Sequence, residues 1–290
     1  MINTGSHPDV AFATSRRLST MTAGHFLLLA IVAACALGPF IYTTSSTELV
    51  GLPLSAPSWD HPLGTDAFGR DVLARTLEGG RVDLVIALLA VTVPFLTGTL
   101  LGIVSGLAAG SWLDRLLMRV VDAMLAFPFP ILILALAVTF GDLGQVLFLP
   151  SGVAAMLVAF YAANWSVYAR IARGETLALR ERDFVVAARL SGLSAWTIQR
   201  RHIFPNVVPA TFTYALSDVV VVIGVVASLP FLGAGVQPPA PEWGSIIYEG
   251  RTVISQAPWV CLGPGLAIVI TGLSVRLIGR NSRWIEGPRA

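Results

Sequence analysis

The chain has 290 residues, of which 55% are hydrophobic and only 12% are charged. A soluble globular domain of ordinary composition has about 25% charged residues. The formal net charge of +2 is too small for an electrostatic nucleic-acid interface. We therefore expect a protein whose solvent is the lipid membrane and which has no nucleic-acid partner.

The basic residues exclude one class of enzyme. All 19 of them are arginine, and the chain contains no lysine. The Walker A loop of ATPases needs a lysine that reaches the β- and γ-phosphates, so the chain is not expected to hydrolyse ATP. We find no arrangement typical of a catalytic site. The two cysteines, Cys35 and Cys261, lie in apolar stretches and predict no disulfide.

Six stretches are long and apolar enough to cross a bilayer. A hydrocarbon core of about 30 Å needs roughly 20 apolar residues in a helix, and an open strand in lipid would leave backbone groups unpaired. The sequence therefore predicts an all-α membrane protein with six transmembrane helices. The spans cover about residues 23–43, 84–113, 123–141, 145–168, 207–232 and 257–278.

The arginines predict the orientation of these spans. With a cytoplasmic N-terminus, 15 arginines fall on the inner side and four on the outer side, as the positive-inside rule requires. Both termini are therefore expected to be cytoplasmic. The predicted parts are a cytoplasmic N-tail, a first span, an extracytoplasmic loop, a five-helix core that contains a cytoplasmic loop, and a cytoplasmic C-tail: residues 1–22, 23–43, 44–83, 84–280 with the loop at 169–205, and 281–290.

Two features interrupt the predicted spans. Prolines 128 and 130 lie early in the third span, where a kink is expected because proline removes a backbone donor. Asp218 lies within the fifth span, and an acid at that depth must be paired, protonated or in contact with water. Asp218 could line a translocation cavity, or it could lie near a span end or hydrogen-bond to a neighbouring helix, and the sequence leaves these interpretations open.

The outer loop contains the string HPLGTDAFGRD at residues 61–71. His61, Asp66 and Asp71 suggest a metal site by composition, but their spacing fits no standard zinc or calcium pattern. The glycines in the string indicate turns instead. We expect a structural loop near the membrane surface and no bound metal.

The inner loop, residues 169–205, is the most informative part of the sequence. Residues 175–190 contain neither glycine nor proline, which favours a helix. Gly192 is expected to break this helix. Ser194 is then placed to cap a second short helix, which Pro205 is expected to end.

One face of the first of these helices carries Phe184, Ala187, Ala188 and Ser191. The two alanines would allow another surface to approach closely. Arginines flank this face, and they could equally serve only to fix the topology of a solvated loop.

At these residues the sequence resembles the permeases of binding-protein-dependent ABC importers. Their cytoplasmic signature is an EAA triplet, a glycine, and then a hydrophobic residue and a proline, which Ala187, Ala188, Gly192 and Pro205 match. Four segments further resemble the dipeptide and oligopeptide (peptide/nickel) subfamily, in the same order and spacing. They are HPLGTDAFGRDVLAR, MRVVDAMLAFPFP, the inner loop and FLGAGVQPPAPEWGSIIYEGR. The resemblance covers about residues 62–279.

The resemblance implies a type I ABC importer permease fold in the bacterial cytoplasmic membrane. It implies three kinds of partner: a homologous permease, two ATP-binding subunits or domains that use ATP and Mg, and an extracytoplasmic substrate-binding protein. The chain itself would bind no cofactor. Peptides are the expected substrate, although relatives with similar motifs handle nickel complexes or haem.

The resemblance also implies that the helix carrying Ala187 docks into a cleft of the ATPase. The ATPase-coupling residues that it implies are Asp183, Phe184, Val186, Ala187, Ala188, Gly192 and Pro205. The sequence departs from the family at Val186, where the triplet has glutamate, so a charge pair with the ATPase is either missing or supplied by Glu181 or Asp183.

Two other classes of function stay open at this stage. A secondary transporter would use an ion gradient and would need several buried ionisable residues, of which Asp218 is one. A membrane anchor without transport activity is the third possibility.

Overall fold

The computed structural model describes residues 8–140 and 150–281 and, within these ranges, the side chains of residues 22–280. Residues 1–7 of the predicted N-tail, residues 145–149 of the fourth span and residues 282–290 of the C-tail lie outside the described residues. The described chain forms ten α-helices. They are α1 (Pro8–Ile41), α2 (Val72–Leu107), α3 (Trp112–Leu125), α4 (Phe129–Thr139), α5 (Val153–Arg180), α6 (Asp183–Leu190), α7 (Ala195–Ile198), α8 (Phe204–Ser228), α9 (Trp243–Gly250) and α10 (Trp259–Asn281).

The helices confirm an all-α membrane protein. Four helical stretches are long and apolar enough to cross a membrane, and the bent pair of α3 and α4 makes a fifth if the two helices form one span. The four are Thr22–Ile41, Val72–Leu107, Ala195–Leu232 and Trp259–Arg280. Length and composition thus support four to five spans among the described residues.

The second span begins earlier than predicted. Helix α2 starts at Val72 and not near residue 84, because Asp71 caps it: the Asp71 carboxylate accepts a hydrogen bond of 2.8 Å from the backbone N–H of Ala74. The early part of α2 contains buried polar residues, among them Arg75 and Asp83. A search for apolar stretches therefore does not detect where the helix starts. The outer loop therefore ends at Asp71.

The predicted third span consists of two helices. Helices α3 and α4 meet at an angle of 90° around Pro128, which confirms the expected kink. The exposed side chains of α3 include Trp112, Leu116 and Val120, spaced four residues apart on one face. This spacing is typical of an amphipathic helix that lies along the membrane surface.

Helices α2 and α5 run parallel and pack backbone against backbone. A Cβ atom at Gly98 would lie 2.4 Å from the Trp165 carbonyl oxygen, and one at Gly102 would lie 2.3 Å from that of Ala169. Only glycine at these positions allows the two helices to approach so closely.

Helices α2 and α10 also run parallel, since Gly263 at the start of α10 lies against Val72 and Thr76 at the start of α2. Several other neighbouring helices run antiparallel. Gly80 of α2 lies against Cys35 of α1, and Gly38 of α1 lies against Leu77 of α2. Similar contacts pair the start of α1 with the end of α10, and α8 with both α5 and α10. The bundle has two ends, which we call the α6–α7 end and the α9 end. The described start of α1 and the end of α10 both lie at the α6–α7 end.

The inner loop differs from its prediction at two positions. The helix expected over residues 175–190 is interrupted at residues 181–182, where α5 ends and α6 begins. Pro205 does not end the second helix, since it lies in the first turn of α8, where a missing N–H is tolerated. A π-helical turn, Gln199–Ile203, joins α7 to α8 without a break.

Candidate functional site

The α6–α7 hairpin is shaped by its own sequence. Gly192 has φ +75°, and the Leu193 N–H donates a hydrogen bond of 3.2 Å to the Ala188 carbonyl, as in a Schellman helix end. Ser194 caps α7 by accepting a hydrogen bond of 3.2 Å from the backbone N–H of Thr197. The predicted glycine break and serine cap are both confirmed.

One side of the hairpin is buried against the bundle. Val185 and Ala188 of α6 pack with residues from the ends of α2, α5 and α8. The cluster consists of Ile103, Ala172, Val185, Ala188, Ile198, Ile203 and Val207. Ala188 is therefore part of the interior of the chain, whereas the sequence placed it beside Ala187 on an outward face. Its small side chain serves the attachment of α6 to the bundle.

The hairpin also exposes a set of apolar residues that we call the hairpin face. Leu190 is 84% exposed and Trp196 is 69% exposed. The apolar members of the face are Phe184, Val186, Ala187, Leu190, Leu193 and Trp196. An exposed apolar cluster on a rigid hairpin is typical of a protein-binding surface.

Arginines surround the hairpin face. Within the described residues, Arg182, Arg189, Arg200 and Arg201 form no ion pair. A surface groove of about 370 Å³ is lined by Trp196, Thr197, Arg200 and Arg201. The face therefore offers apolar contact at its centre and unpaired positive charge at its edge.

Polar contacts tie the hairpin end of α5 to the adjoining helices. Arg180, the last residue of α5, donates a hydrogen bond of 2.7 Å to the carbonyl oxygen of Gly106 at the end of α2. Arg173 of α5 pairs with Asp114 of α3 through two hydrogen bonds of 2.7 and 2.9 Å. Asp114 also accepts a hydrogen bond of 2.5 Å from Ser105 of α2. Helices α2, α3 and α5 are thus joined to one another next to the hairpin.

Asp218 lies in the interior between α5 and α8. It is 2% exposed, and its Oδ2 accepts hydrogen bonds of 2.9 Å from both Asn164 and Tyr168. These contacts match the interpretation that the acid hydrogen-bonds to a neighbouring helix. A larger groove of about 870 Å³ runs between α8 and α10, and Asp218 is not among the residues that line it.

The outer loop is held by ion pairs. Asp66 accepts hydrogen bonds from Arg70 at 2.7 Å and from Arg75 at 2.9 Å. Glu249 of α9 contacts the same two arginines at 2.5 and 3.0 Å. Burial raises the pKa of Glu249, and Arg70 opposes this shift. The network joins the loop, α2 and α9.

His61 and Asp71 of the outer loop form a second contact. The His61 Nδ1 and the Tyr42 hydroxyl each lie 2.7 Å from Asp71 Oδ2. The same carboxylate caps α2, so its oxygens are already engaged. Among the described residues no group of three or more metal-ligating side chains lies close enough to hold an ion.

Comparison with known proteins identifies the family. Residues 98–282 match the family described as binding-protein-dependent transport system inner membrane component. The chain belongs to this family. A putative peptide permease protein of Brucella suis biovar 1 is 40% identical to this chain over 251 residues, which cover 86% of this chain and 80% of the relative.

Two further relatives extend the comparison. A putative peptide transport system permease protein of Brucella suis biovar 1 is 36% identical over 300 residues, covering 98% of this chain and 95% of the relative. The glutathione transport system permease protein of Pectobacterium atrosepticum is 38% identical over 233 residues, covering 80% and 74%. The resemblance drawn from the sequence is confirmed. The family consists of transport permeases and not of ATPases, which agrees with the absence of lysine from this permease.

Sequence reasoning missed two parts of the site. Leu190 and Trp196 are the most exposed apolar side chains of the hairpin face, but neither belongs to the family signature. The glycines at 98, 102 and 106 that seat α2 on α5 follow a small-xxx-small spacing, a signal that could have predicted this contact.

Proposed function

We propose that this chain is one of two homologous permease subunits of an ATP-driven peptide importer in the bacterial cytoplasmic membrane. Two ATP-binding subunits supply the energy, and an extracytoplasmic binding protein delivers the substrate. One observation supports the coupling role. The hairpin face is an exposed apolar surface with unpaired arginines, and one side of the hairpin is packed against three helices of the bundle.

The direction of the helices supports six spans with both termini cytoplasmic. Because α2 and α5 run parallel, the chain must cross the bundle once between them. We assign that crossing to helix α4, so that α1, α2, α4, α5, α8 and α10 are the six proposed spans. The positive-inside rule, applied to the arginines of the α6–α7 end, supports a cytoplasmic location for that end and for both termini.

The hairpin transmits motion because it is rigidly attached. ATP binding closes the partner subunits, and the cleft that holds the hairpin face moves with them. Val185 and Ala188 carry this displacement into the helix ends, and Arg180 couples α5 to α2. The two halves of the importer then rock between inward-open and outward-open states. Val186 contributes apolar contact where the family has a glutamate.

Peptides are the proposed substrate because two of the relatives are named as peptide permeases. The glutathione transport relative makes a short, sulfur-containing peptide a second candidate. A secondary transporter is less well supported, since Asp218 is already hydrogen-bonded between two helices.

Co-purification tests the coupling role. We expect the chain to co-purify with a Walker-type ATPase. Trp196→Ser should weaken that association at least tenfold, because it removes an exposed aromatic anchor from the hairpin face. The matched control is Trp59→Ser, which changes an exposed tryptophan at the opposite end of the bundle. Equal ATPase recovery with both variants would contradict the proposal.

A further inference from the structure

The start of α9 carries a buried carboxyl group. Glu242 caps this helix: its two carboxylate oxygens accept hydrogen bonds of 2.6 Å from the Gly244 N–H and 2.8 Å from the Ser245 N–H. The side chain is 1% exposed. A glutamate that caps a helix from such a position has no access to solvent.

A second buried carboxyl group, that of Asp83, lies against the first. Asp83 of α2 accepts a hydrogen bond of 2.9 Å from the N–H of Trp243, the residue that follows Glu242, so the two buried carboxyl groups lie next to each other. Gly79, one turn earlier on α2, permits this approach, because a Cβ atom there would lie 3.2 Å from the Glu242 Cα. The pair therefore forms the junction between α2 and α9.

The charged and titratable groups around the junction are engaged elsewhere. Arg81 of α2 donates hydrogen bonds of 2.9 Å to the Cys35 carbonyl and 2.5 Å to the Ala36 carbonyl of α1. Glu78 of α2 bonds to Ser46, and Glu249 of α9 pairs with Arg70 and Arg75. The neighbouring group on α1 is the Cys35 thiol, and α8 and α10 contribute the apolar Ala227 and Ala267. No described cation contacts either carboxyl group.

Two carboxylates cannot hydrogen-bond to each other unless one of them holds a proton, since an ionised carboxyl group only accepts. Two adjacent negative charges without a cation would also repel strongly in a buried site. We propose that Asp83 and Glu242 share one proton, donated by Asp83, and that this proton latches α9 onto α2.

Asp83 is the donor because the Glu242 oxygens already accept two backbone hydrogen bonds, which favour the ionised form. Loss of the shared proton would leave two adjacent negative charges in a buried site, so the pair retains its proton to a higher pH than a free carboxylic acid would. The proton belongs to the pair and not to one residue alone.

The latch makes the stability of the α9 end depend on pH in a defined direction. The native state binds one more proton than the unfolded chain above the pKa of a free carboxyl group. Stability is therefore full at low pH and is lost as the pH rises through the ionisation of the pair. The latch is independent of the substrate and of the ATPase.

Infrared spectroscopy tests the shared proton directly. The full chain, purified with the subunits that accompany it and placed in lipid nanodiscs, should show at neutral pH the carbonyl band of a protonated carboxylic acid. Asp83→Asn should remove this contribution, because an amide replaces the acid while keeping a hydrogen-bond donor toward Glu242. Glu242→Gln should shift the band, because the acceptor of the proton changes. Asp60→Asn, which alters an exposed acid of the outer loop, is the control and should leave the band unchanged.

Hydrogen exchange provides the second measurement. In the wild type the amide N–H groups of residues 243–250 should exchange at least tenfold faster once alkaline pH ionises the pair, after correction for the intrinsic pH dependence of exchange. In Asp83→Asn this additional acceleration should be absent. A carboxylic acid band that neither Asp83→Asn nor Glu242→Gln alters, or equal pH dependence of exchange in wild type and Asp83→Asn, would overturn the proposal.

Discussion

Arg180 donates a hydrogen bond of 2.7 Å to the carbonyl oxygen of Gly106, and so joins the last residue of α5 to the end of α2. A second, longer contact of 3.3 Å reaches the Leu107 carbonyl. The unpaired carbonyls at a helix end attract a positive charge. Arg180 therefore fixes the helix from which the α6–α7 hairpin extends.

Replacement of Arg180 should loosen this joint. We expect Arg180→Gln to lower the free energy of unfolding by about 1.5–3 kcal/mol, the range for hydrogen bonds to charged groups. It should also lower the amount of substrate imported per ATP hydrolysed. The measurement is parallel uptake and ATPase activity in proteoliposomes. Arg119→Gln changes an exposed arginine of α3 that does not belong to the hairpin face, and it serves as the control. Equal transport-to-ATP ratios in the two variants would exclude a coupling role for Arg180.

The glycine contact between α2 and α5 should tolerate no side chain. A Cβ atom at Gly102 would lie 2.3 Å from the Ala169 carbonyl oxygen, so Gly102→Ala must separate the helices. We expect a destabilisation of about 1–3 kcal/mol, as for overpacking of an interior, seen as a lower thermal midpoint in nanodiscs.

Gly174→Ala is the matched control for this contact. Gly174 lies on α5, and a Cβ atom there would meet no neighbouring atom within 4 Å. Its replacement should leave stability unchanged or raise it by about 0.5–1 kcal/mol, because alanine favours a helix. A lower midpoint for Gly174→Ala than for Gly102→Ala would contradict the packing described between α2 and α5.

The position of Asp218 predicts a structural role. Asp218→Ala would leave the buried Asn164 and Tyr168 donors without an acceptor, at a cost of about 1–3 kcal/mol for each. Asp218→Asn retains an acceptor oxygen and should be milder. Uptake of a series of cationic, neutral and anionic peptides by Asp218→Asn should keep the wild-type order of preference. A selective loss of cationic substrates would instead favour the cavity-lining interpretation.

The sequence predicted those parts of the fold that depend on apolarity and on turn chemistry. The long apolar stretches, the proline kink, the Gly192 break and the Ser194 cap were all predictable, because each depends on neighbouring residues in the chain. The start of α2 was not predictable. Arg75 and Asp83 are polar, and their burial depends on contacts with parts of the chain that are distant in the sequence.

The candidate site was predictable to a similar extent. The family signature located the hairpin but did not show which side of α6 faces outward. Ala187 and Ala188 differ by about 100° around a helix axis, and only the position of the bundle decides that Ala188 is buried while Ala187 is exposed. The roles of Asp183, Phe184, Val186, Ala187, Gly192 and Pro205 in coupling stay predictions.

We propose that separate ATP-binding subunits drive this permease and that it receives their motion through the hairpin face. The most direct measurement is uphill uptake of a labelled peptide into vesicles that hold the permeases, the binding protein and the ATP-binding subunits. We expect ATP-dependent accumulation that is lost when Leu190→Asp places a charge in the hairpin face or when the ATP-binding subunits are omitted. Undiminished accumulation without those subunits would contradict the account.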